Sequence, residues 1–327
     1  KLEPLYNLLT ILDIYTKRNT NNSIINMLNK NVQLESKCDG ESNIVPQRKK
    51  NIIVCWDFDW SLVNENSDYF VHEKLYGGEY TNKMYPELRE KAHEEGTTVF
   101  TDFMDEIGWP KIFNEFKLNA KSFGLLVSDI PIFKENLEIV NTINKHSNDN
   151  GSGTNRFNIN QYIISNANQV LIDIILKKND LNGNVFKSDQ IFTNPGWFDE
   201  KSGILRCQRY HNTIIGDKKV INKHECDICA ANLCKGKVLT EEVLIRHNKP
   251  FTHDNIIIYI GDGGNDFCPS SKLTQNDYVF VRQFSECKGL EAKIKVDGDK
   301  LKCNVLKWKD GAELLNNFKT VLPELQF

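Results

Sequence analysis

The run Ile52-Ile53-Val54-Cys55-Trp56, followed by Asp57-Phe58-Asp59-Trp60-Ser61, constrains the fold more than any other stretch of the chain. Its apolar, β-branched start reads as a buried strand, and the strand ends abruptly in two carboxylates at i and i+2 and then a hydroxyl. If the strand belongs to a parallel sheet, these groups emerge at its carboxyl edge, where open α/β sheets bind their ligands. That edge is a place for chemistry.

The same rhythm recurs. Gln161-Tyr162-Ile163-Ile164-Ser165 is a second short apolar strand ending on a hydroxyl, followed by an amphipathic helix carrying Val170, Leu171, Ile174 and Ile175. Ile256-Ile257-Ile258-Tyr259-Ile260 is the clearest buried strand and ends in Gly261-Asp262-Gly263-Gly264-Asn265-Asp266, while Tyr278-Val279-Phe280-Val281 adds another. At least four strands alternating with helices predict an α/β fold with a parallel sheet under right-handed crossovers. A helix is expected from about Ile132 to Asn144, a polar loop from His146 to Asn155, a hairpin excursion within 190–215, and a closing helix over 310–320.

From Val63 to about Leu126 the apolar positions, among them Phe70, Leu88, Phe103, Ile112 and Phe116, are spaced for packing among helices. This predicts a helical insertion just after the acidic edge, where a lid would sit. Leu5, Leu8, Leu9 and Leu12 at helical spacing, an Asn-rich stretch and the basic turn Gln47-Arg48-Lys49-Lys50 read as an N-terminal extension with one helix. The expected division is an extension over 1–50, a catalytic core over 51–62 and 127–327, and a helical cap over 63–126.

A net charge of −3 gives no general reason to expect nucleic acid or an anionic membrane surface as partner. No apolar run approaches the ~20 residues that span a bilayer. The nine cysteines are odd in number and mostly scattered singly, which argues against a disulfide framework and for a reducing compartment, the cytoplasm. Oligomeric state leaves no signal.

Three strand ends therefore carry acidic or hydroxyl groups: Asp57 with Asp59, Ser165, and Asp262 with Asp266. Lys235 stands at a helix start. Carboxylates gathered at one edge repel each other unless a cation intervenes, and oxygen donors without soft partners suit Mg²⁺. Magnesium in turn implies phosphate. A carboxylate can attack phosphorus to give an acyl phosphate, a second can move protons, and Mg²⁺, Lys and Ser can hold the phosphoryl oxygens.

The combination Asp57-Phe58-Asp59-x-Ser61, Ser165 at a strand end, Lys235 opening a helix, and Gly261 through Asp266 resembles the four motifs of the haloacid dehalogenase superfamily of phosphatases. More narrowly, Val63-Asn64-Glu65-Asn66-Ser67-Asp68, Ile164-Ser165-Asn166-Ala167-Asn168, His224-x-Cys226-x-x-Cys229-x-x-Asn232-x-Cys234-Lys235 and Asp266-Phe267-Cys268-Pro269 are similar to the phosphoethanolamine/phosphocholine phosphatase family, which includes pyridoxal phosphate phosphatases. The resemblance spans roughly 50–315. It implies a Rossmann-like core with a helical cap, Asp57 as nucleophile and Asp59 as general acid/base. It also implies Mg²⁺ held by Asp57, the Asp59 carbonyl and Asp262 with support from Asp266, and a phosphoryl group bound by Ser165 and Lys235, beside Asn166.

Three departures bear on substrate. Asn166 stands where the family typically has Asp, which weakens the case for a cationic head group because a neutral amide attracts an ammonium less. Asn64 replaces an acidic residue of many relatives, and Trp60 puts a bulky ring between Asp59 and Ser61. The expected function is a Mg²⁺-dependent phosphatase acting on a small phosphomonoester, phosphoethanolamine- or phosphocholine-like, through an aspartyl-phosphate. Alternatives are a pyridoxal phosphate phosphatase or a pyrophosphatase on the same fold, and a catalytically idle scaffold that binds a phosphorylated ligand.

His224, Cys226, Cys229 and Cys234 have spacing that a structural zinc uses, but a second Cys-x-x-Cys pair is missing, which favours small packed residues and a reduced pair. Trp109, Trp197 and Trp308 are expected to pack rather than to stack on a ligand.

Overall fold

The structure, a computed structural model, describes residues 50–78, 83, 85–94, 99–148, 157–215, 218–221, 224–246 and 255–327. Residues 1–49 of the expected N-terminal extension and the expected polar loop from residue 149 on lie outside the described residues, while His146, Ser147 and Asn148, expected in that loop, instead end a helix over Lys134–Asn148. The strands are β1 (Lys50–Trp56), β2 (Phe157–Asn168), β3 (Ile191–Asn194), β4 (Gly196–Phe198), β5 (Leu205–Cys207), β6 (Asn212–Ile215), β7 (Lys218–Ile221), β8 (Asn255–Gly261), β9 (Tyr278–Arg282) and β10 (Asn304–Trp308). Six of them form one sheet in the order β10-β9-β8-β1-β2-β3, every pair parallel. The expected α/β, Rossmann-like architecture is what is observed.

β1 occupies the middle. It pairs with β2 from Lys50↔Phe157 to Trp56↔Ile163 and with β8 from Asn51↔Asn255 to Trp56↔Ile260. Alternate residues feed two cores: Ile52, Val54 and Trp56 pack with Ile139, Val140, Leu171 and Phe318, while Ile53 and Cys55 pack with Val238, Leu239, Phe267 and Leu290. All five are fully buried, which is why the strand reads as a continuous apolar run rather than an alternating one. Burying each aliphatic side chain contributes about 1.5–3 kcal/mol. The chain leaves β1 for β2 on one side and returns through β8 on the other, so the crevice at this reversal opens at the carboxyl ends of β1, β2 and β8.

Helices follow the first turn: Ser67–Tyr76, Tyr85–Glu94, Phe100–Phe103, Trp109–Glu115 and Ala120–Val127, the third and fourth joined by a π turn over Met104–Gly108. Phe103, Met104, Trp109, Ile112 and Phe123 are buried among them. The antiparallel hairpin β4–β5 is braced against these helices by Arg206 Nε donating to Asp105 Oδ1 at 2.8 Å, and Arg209, three residues on, extends the brace through an ion pair with Asp102. Trp109 and Trp308 are buried as expected, whereas Trp197 is 45% exposed on β4 and packs little. The sheet has two strands that the apolar runs did not reveal, β3 and β10, both short and both at its edges. No helix among the described residues is long and apolar enough to cross a membrane.

Candidate active site

β1 delivers Asp57 into the crevice. Its N–H donates to Ile260 O at 2.9 Å, which ties the end of β1 to β8. Its carboxylate accepts from the Phe58 N–H through Oδ1 at 2.7 Å and faces Lys235 Nζ through Oδ2 at 2.8 Å. The backbone then turns sharply over Phe58–Leu62, with Trp60 at φ +56°. This turn aims Asp59 at the first helix, where Asp59 Oδ1 accepts from the Ser67 N–H at 3.0 Å.

At the end of β8, Asp266 is fully buried. Its Oδ1 accepts from Lys235 Nζ and from Tyr259 OH, both at 2.7 Å, and its Oδ2 accepts from the N–H groups of Asp262 at 3.1 Å and Gly263 at 2.8 Å. Asp266 therefore holds both the lysine and the loop that carries Asp262. Lys235, 1% exposed at the start of a short helix, bridges Asp57 and Asp266. Gly289 crosses close behind: the Leu290 N–H donates to Asp262 O at 2.7 Å, and Gly289 has φ +59° with space for no side chain, since a Cβ there lies 2.1 Å from Asp262 O.

Ser165, near the end of β2, is buried, and its Oγ accepts from the Ala167 N–H at 3.1 Å. Asn166 is fixed at both ends. Its Nδ2 donates to Asn232 Oδ1 at 2.8 Å, and its Oδ1 accepts from Asn265 Nδ2 at 2.7 Å. Asn232 in turn donates to Thr101 Oγ1 at 2.9 Å, so a chain of amides links the β8 loop to the helices over the crevice. Beside it lies a small cavity lined by Asp68, Phe100, Thr101, Met104, Asn166 and Asn168.

The oxygens of Asp57, Asp262 and Asp266 lie within 4.8 Å of one another. Three carboxylates against one ammonium leave two negative charges, the charge of one Mg²⁺, and all the donors are hard oxygens, so the residues fit that ion. Without a cation, Asp57 and Asp262 take up protons more readily. Burial, then the charges of Asp266 and Asp262, push Asp57 well above the usual carboxylate range despite Lys235. Burial and Asp266 raise Asp262 to about 7. Asp59 is raised by burial to about 6, with the hydrogen bonds from Ser67 opposing the shift. Burial opposes the charge on Lys235, but Asp266 and Asp57 more than offset it and keep the ammonium protonated.

Sequence reasoning did not single out five of the residues found here. Tyr259 and Asn265 lay within segments read as strand and motif, and Asn232 within a cysteine-rich turn. Asp68, buried and raised well above its usual range by burial and by Asp59, was visible only as part of the resemblance. Arg282 ends β9: its Nη1 donates to Trp60 O at 2.6 Å, its Nη2 to Asn64 Oδ1, and its guanidinium lies 5.1–5.5 Å from the ring centres of Trp60, Phe133, Phe284 and Trp308.

The cysteine-rich turn differs from expectation in membership. Cys268 joins Cys226, Cys229 and Cys234, whereas His224 stands outside, its Nε2 2.8 Å from Ala230 O. The fourth member comes from a distant segment, so no local spacing signals it.

The chain as a whole is similar to known proteins. The family model described as Putative Phosphatase matches residues 52–322. The chain is 29% identical to the "Probable phosphatase phospho2" of Xenopus tropicalis, covering 83% of this chain and 98% of that protein. It is 26% identical to the mouse "Pyridoxal phosphate phosphatase PHOSPHO2", again covering 83% and 98%, and 25% identical to the chicken "Phosphoethanolamine/phosphocholine phosphatase", covering 85% and 91%.

Proposed function

The chain belongs to this phosphatase family, of the haloacid dehalogenase type, and from that premise we propose that it is a Mg²⁺-dependent phosphomonoesterase working through an aspartyl-phosphate on Asp57. The observation that carries the mechanism is the buried Asp57 carboxylate, set at the end of the central strand between the Lys235 ammonium and the carboxylates of Asp262 and Asp266. An Asp57 oxygen attacks phosphorus, and the bond from phosphorus to the leaving oxygen breaks. Asp59, with a carboxyl near pH 6, gives that oxygen its proton and later takes one from the water that cleaves the acyl phosphate. Lys235 and Ser165 hold the phosphoryl oxygens, and Asn166 borders them. Asp57, the Asp59 carbonyl and Asp262 would hold Mg²⁺, which supplies charge neutralisation when bound. All four acceptor directions of Asp266 are used within the protein, so it contributes charge and fixes the loop.

The substrate is a small phosphorylated metabolite whose remainder lies under the helices of 63–126, which act as a cap. A head group of the phosphoethanolamine or phosphocholine kind is the reading drawn from the activity named for the chicken relative; next to Asn166, Asp68 is held toward its neutral form by burial and by Asp59. A second reading, pyridoxal phosphate, is favoured by the activity named for the mouse relative.

Asp57→Asn keeps the size of the side chain and removes the nucleophile. Phosphate release from a panel of phosphomonoesters should fall by more than about 10³-fold, and EDTA should stop the wild-type enzyme until Mg²⁺ is restored. Substantial turnover by the variant sinks the mechanism. Ligand-induced thermal stabilisation with no phosphate release from any substrate identifies an idle binding protein instead.

A further inference from the structure

A second group of metal-ligating side chains lies behind the carboxylates, and its chemistry is the opposite. Cys226, Cys229 and Cys234 sit on the turn leading into Lys235, and Cys268 sits two residues after Asp266. All four sulfurs lie within 4.8 Å of one another, with Cys226 Sγ 3.5 Å and Cys234 Sγ 3.8 Å from Cys268 Sγ. A tetrahedral zinc with Zn–S bonds of ~2.3 Å sets its sulfurs about 3.8 Å apart. A disulfide needs ~2.05 Å, and all four cysteines are free.

Packing alone does not explain the convergence. Cys229, Cys234 and Cys268 form an apolar cluster of their own, with Cys226 as the further side chain packed on it and no aliphatic or aromatic member. Residues 224–231 are bends and turns without helix or strand, and the segment is anchored at its far end by Asn232 and the buried Leu233. The surroundings are shaped to the sulfurs. The Lys237 N–H donates to Cys234 Sγ at 3.4 Å, the kind of outer partner a thiolate ligand uses, and a Cβ on Gly236 would lie 2.5 Å from Cys268 Sγ. A cavity lined by His211, His224, Cys226, Cys234, Lys237 and Cys268 borders the cluster and gives an ion a way in.

We propose that Cys226, Cys229, Cys234 and Cys268 form a tetrathiolate Zn²⁺ site that fastens the turn carrying Lys235 to the loop carrying Asp262 and Asp266. On binding, four S–H protons leave to solvent as four Zn–S bonds form, giving a centre of charge −2 that the Lys237 amide begins to offset. Soft thiolates take zinc and hard carboxylates take Mg²⁺, so the two sites sort the two ions. The Cys-x-x-Cys pair that the sequence lacks is replaced by Cys234 and Cys268, brought in by the fold.

The test is metal content of the whole protein, produced without a histidine tag and dialysed against EDTA. About one zinc per chain should remain, and titration with a mercurial thiol reagent should release it. Cys226→Ser, chosen because this sulfur is the most accessible of the four, should lower retained zinc several-fold and lower the melting temperature. Cys303→Ser, outside the cluster, should change neither. Wild-type protein loaded with Co²⁺ should show sulfur-to-cobalt charge-transfer bands, a readout that needs no variant to fold. Zinc-free wild type after growth in zinc-supplemented medium, a disulfide among the four cysteines in freshly purified protein, or zinc unchanged by Cys226→Ser overturns the proposal. None of these readouts depends on phosphatase turnover.

Discussion

At the scale of single residues, the site is a set of groups held in costly states by their neighbours. Trp60 is a bulky residue in the left-handed region, a conformation that costs on the order of 1–3 kcal/mol, and Arg282 offsets it by donating to the Trp60 carbonyl and lying against the ring. Asp59 is the clearest titrating group. Its carboxyl titrates at about 6 in the fold against 3.8 when free, so the stability its protonated form lends is complete below about 4 and is lost as pH rises through 6. Asp59→Asn keeps an acceptor for the Ser67 N–H and removes the buried charge. It should therefore raise the melting temperature at pH 8 while turnover of an alkyl phosphate collapses and that of p-nitrophenyl phosphate, whose leaving group needs no proton, falls far less. Equal losses on both substrates would remove Asp59 as the general acid. Asp57 and Asp59 were legible in the sequence because two acids ending an apolar strand are out of place in a core. Arg282 and Tyr259 were not, because their importance depends on which strands are neighbours.

At the scale of elements, what was legible is what is buried on both sides. β1, β2, β8 and β9 announce themselves as apolar runs, whereas β10, with the burial of only Trp308 complete, lies at the sheet edge and lacks the pattern. β3 is buried but only four residues long, too short to separate from the hairpin beyond it. The amide chain Asn265–Asn166–Asn232–Thr101 joins four separate segments of the chain, and its register follows from tertiary structure alone. The loop holding Asp262 depends similarly on a residue far along the chain, Gly289. Gly289→Ala places a methyl against the Asp262 carbonyl in a backbone region disfavoured for Ala. Stability should fall by about 2 kcal/mol or more and the Mg²⁺ requirement should rise, as measured by chemical denaturation and metal titration of activity. Unchanged stability and metal requirement would show that the loop shifts without consequence.

At the scale of the whole molecule, the sheet assembles a charge deficit that an ion should fill. Mg²⁺ should raise the stability of the protein by RT ln(1 + [Mg²⁺]/Kd), about 2.7 kcal/mol at a hundredfold excess over Kd. Because Asp57 and Asp262 titrate above the usual carboxylate range, protons compete with the cation at low pH. The stabilisation should thus be larger at pH 8 than at pH 5 in thermal melts. No stabilisation at either pH would count against a divalent site at this edge.

The central place of β1 also has a consequence for how the protein is made. Asn51 and Asn255, hydrogen-bonded neighbours in the sheet, are 204 residues apart in sequence. At a synthesis rate of 5–20 residues per second, β1 leaves the ribosome roughly 10–40 s before β8 exists to cover its second edge. During that interval its fully buried apolar residues present an open pairing edge, the kind of surface that aggregates or recruits chaperones. Asp262 and Asp266 follow β8 in the chain, so phosphatase activity should appear during synthesis only after β8 has been made.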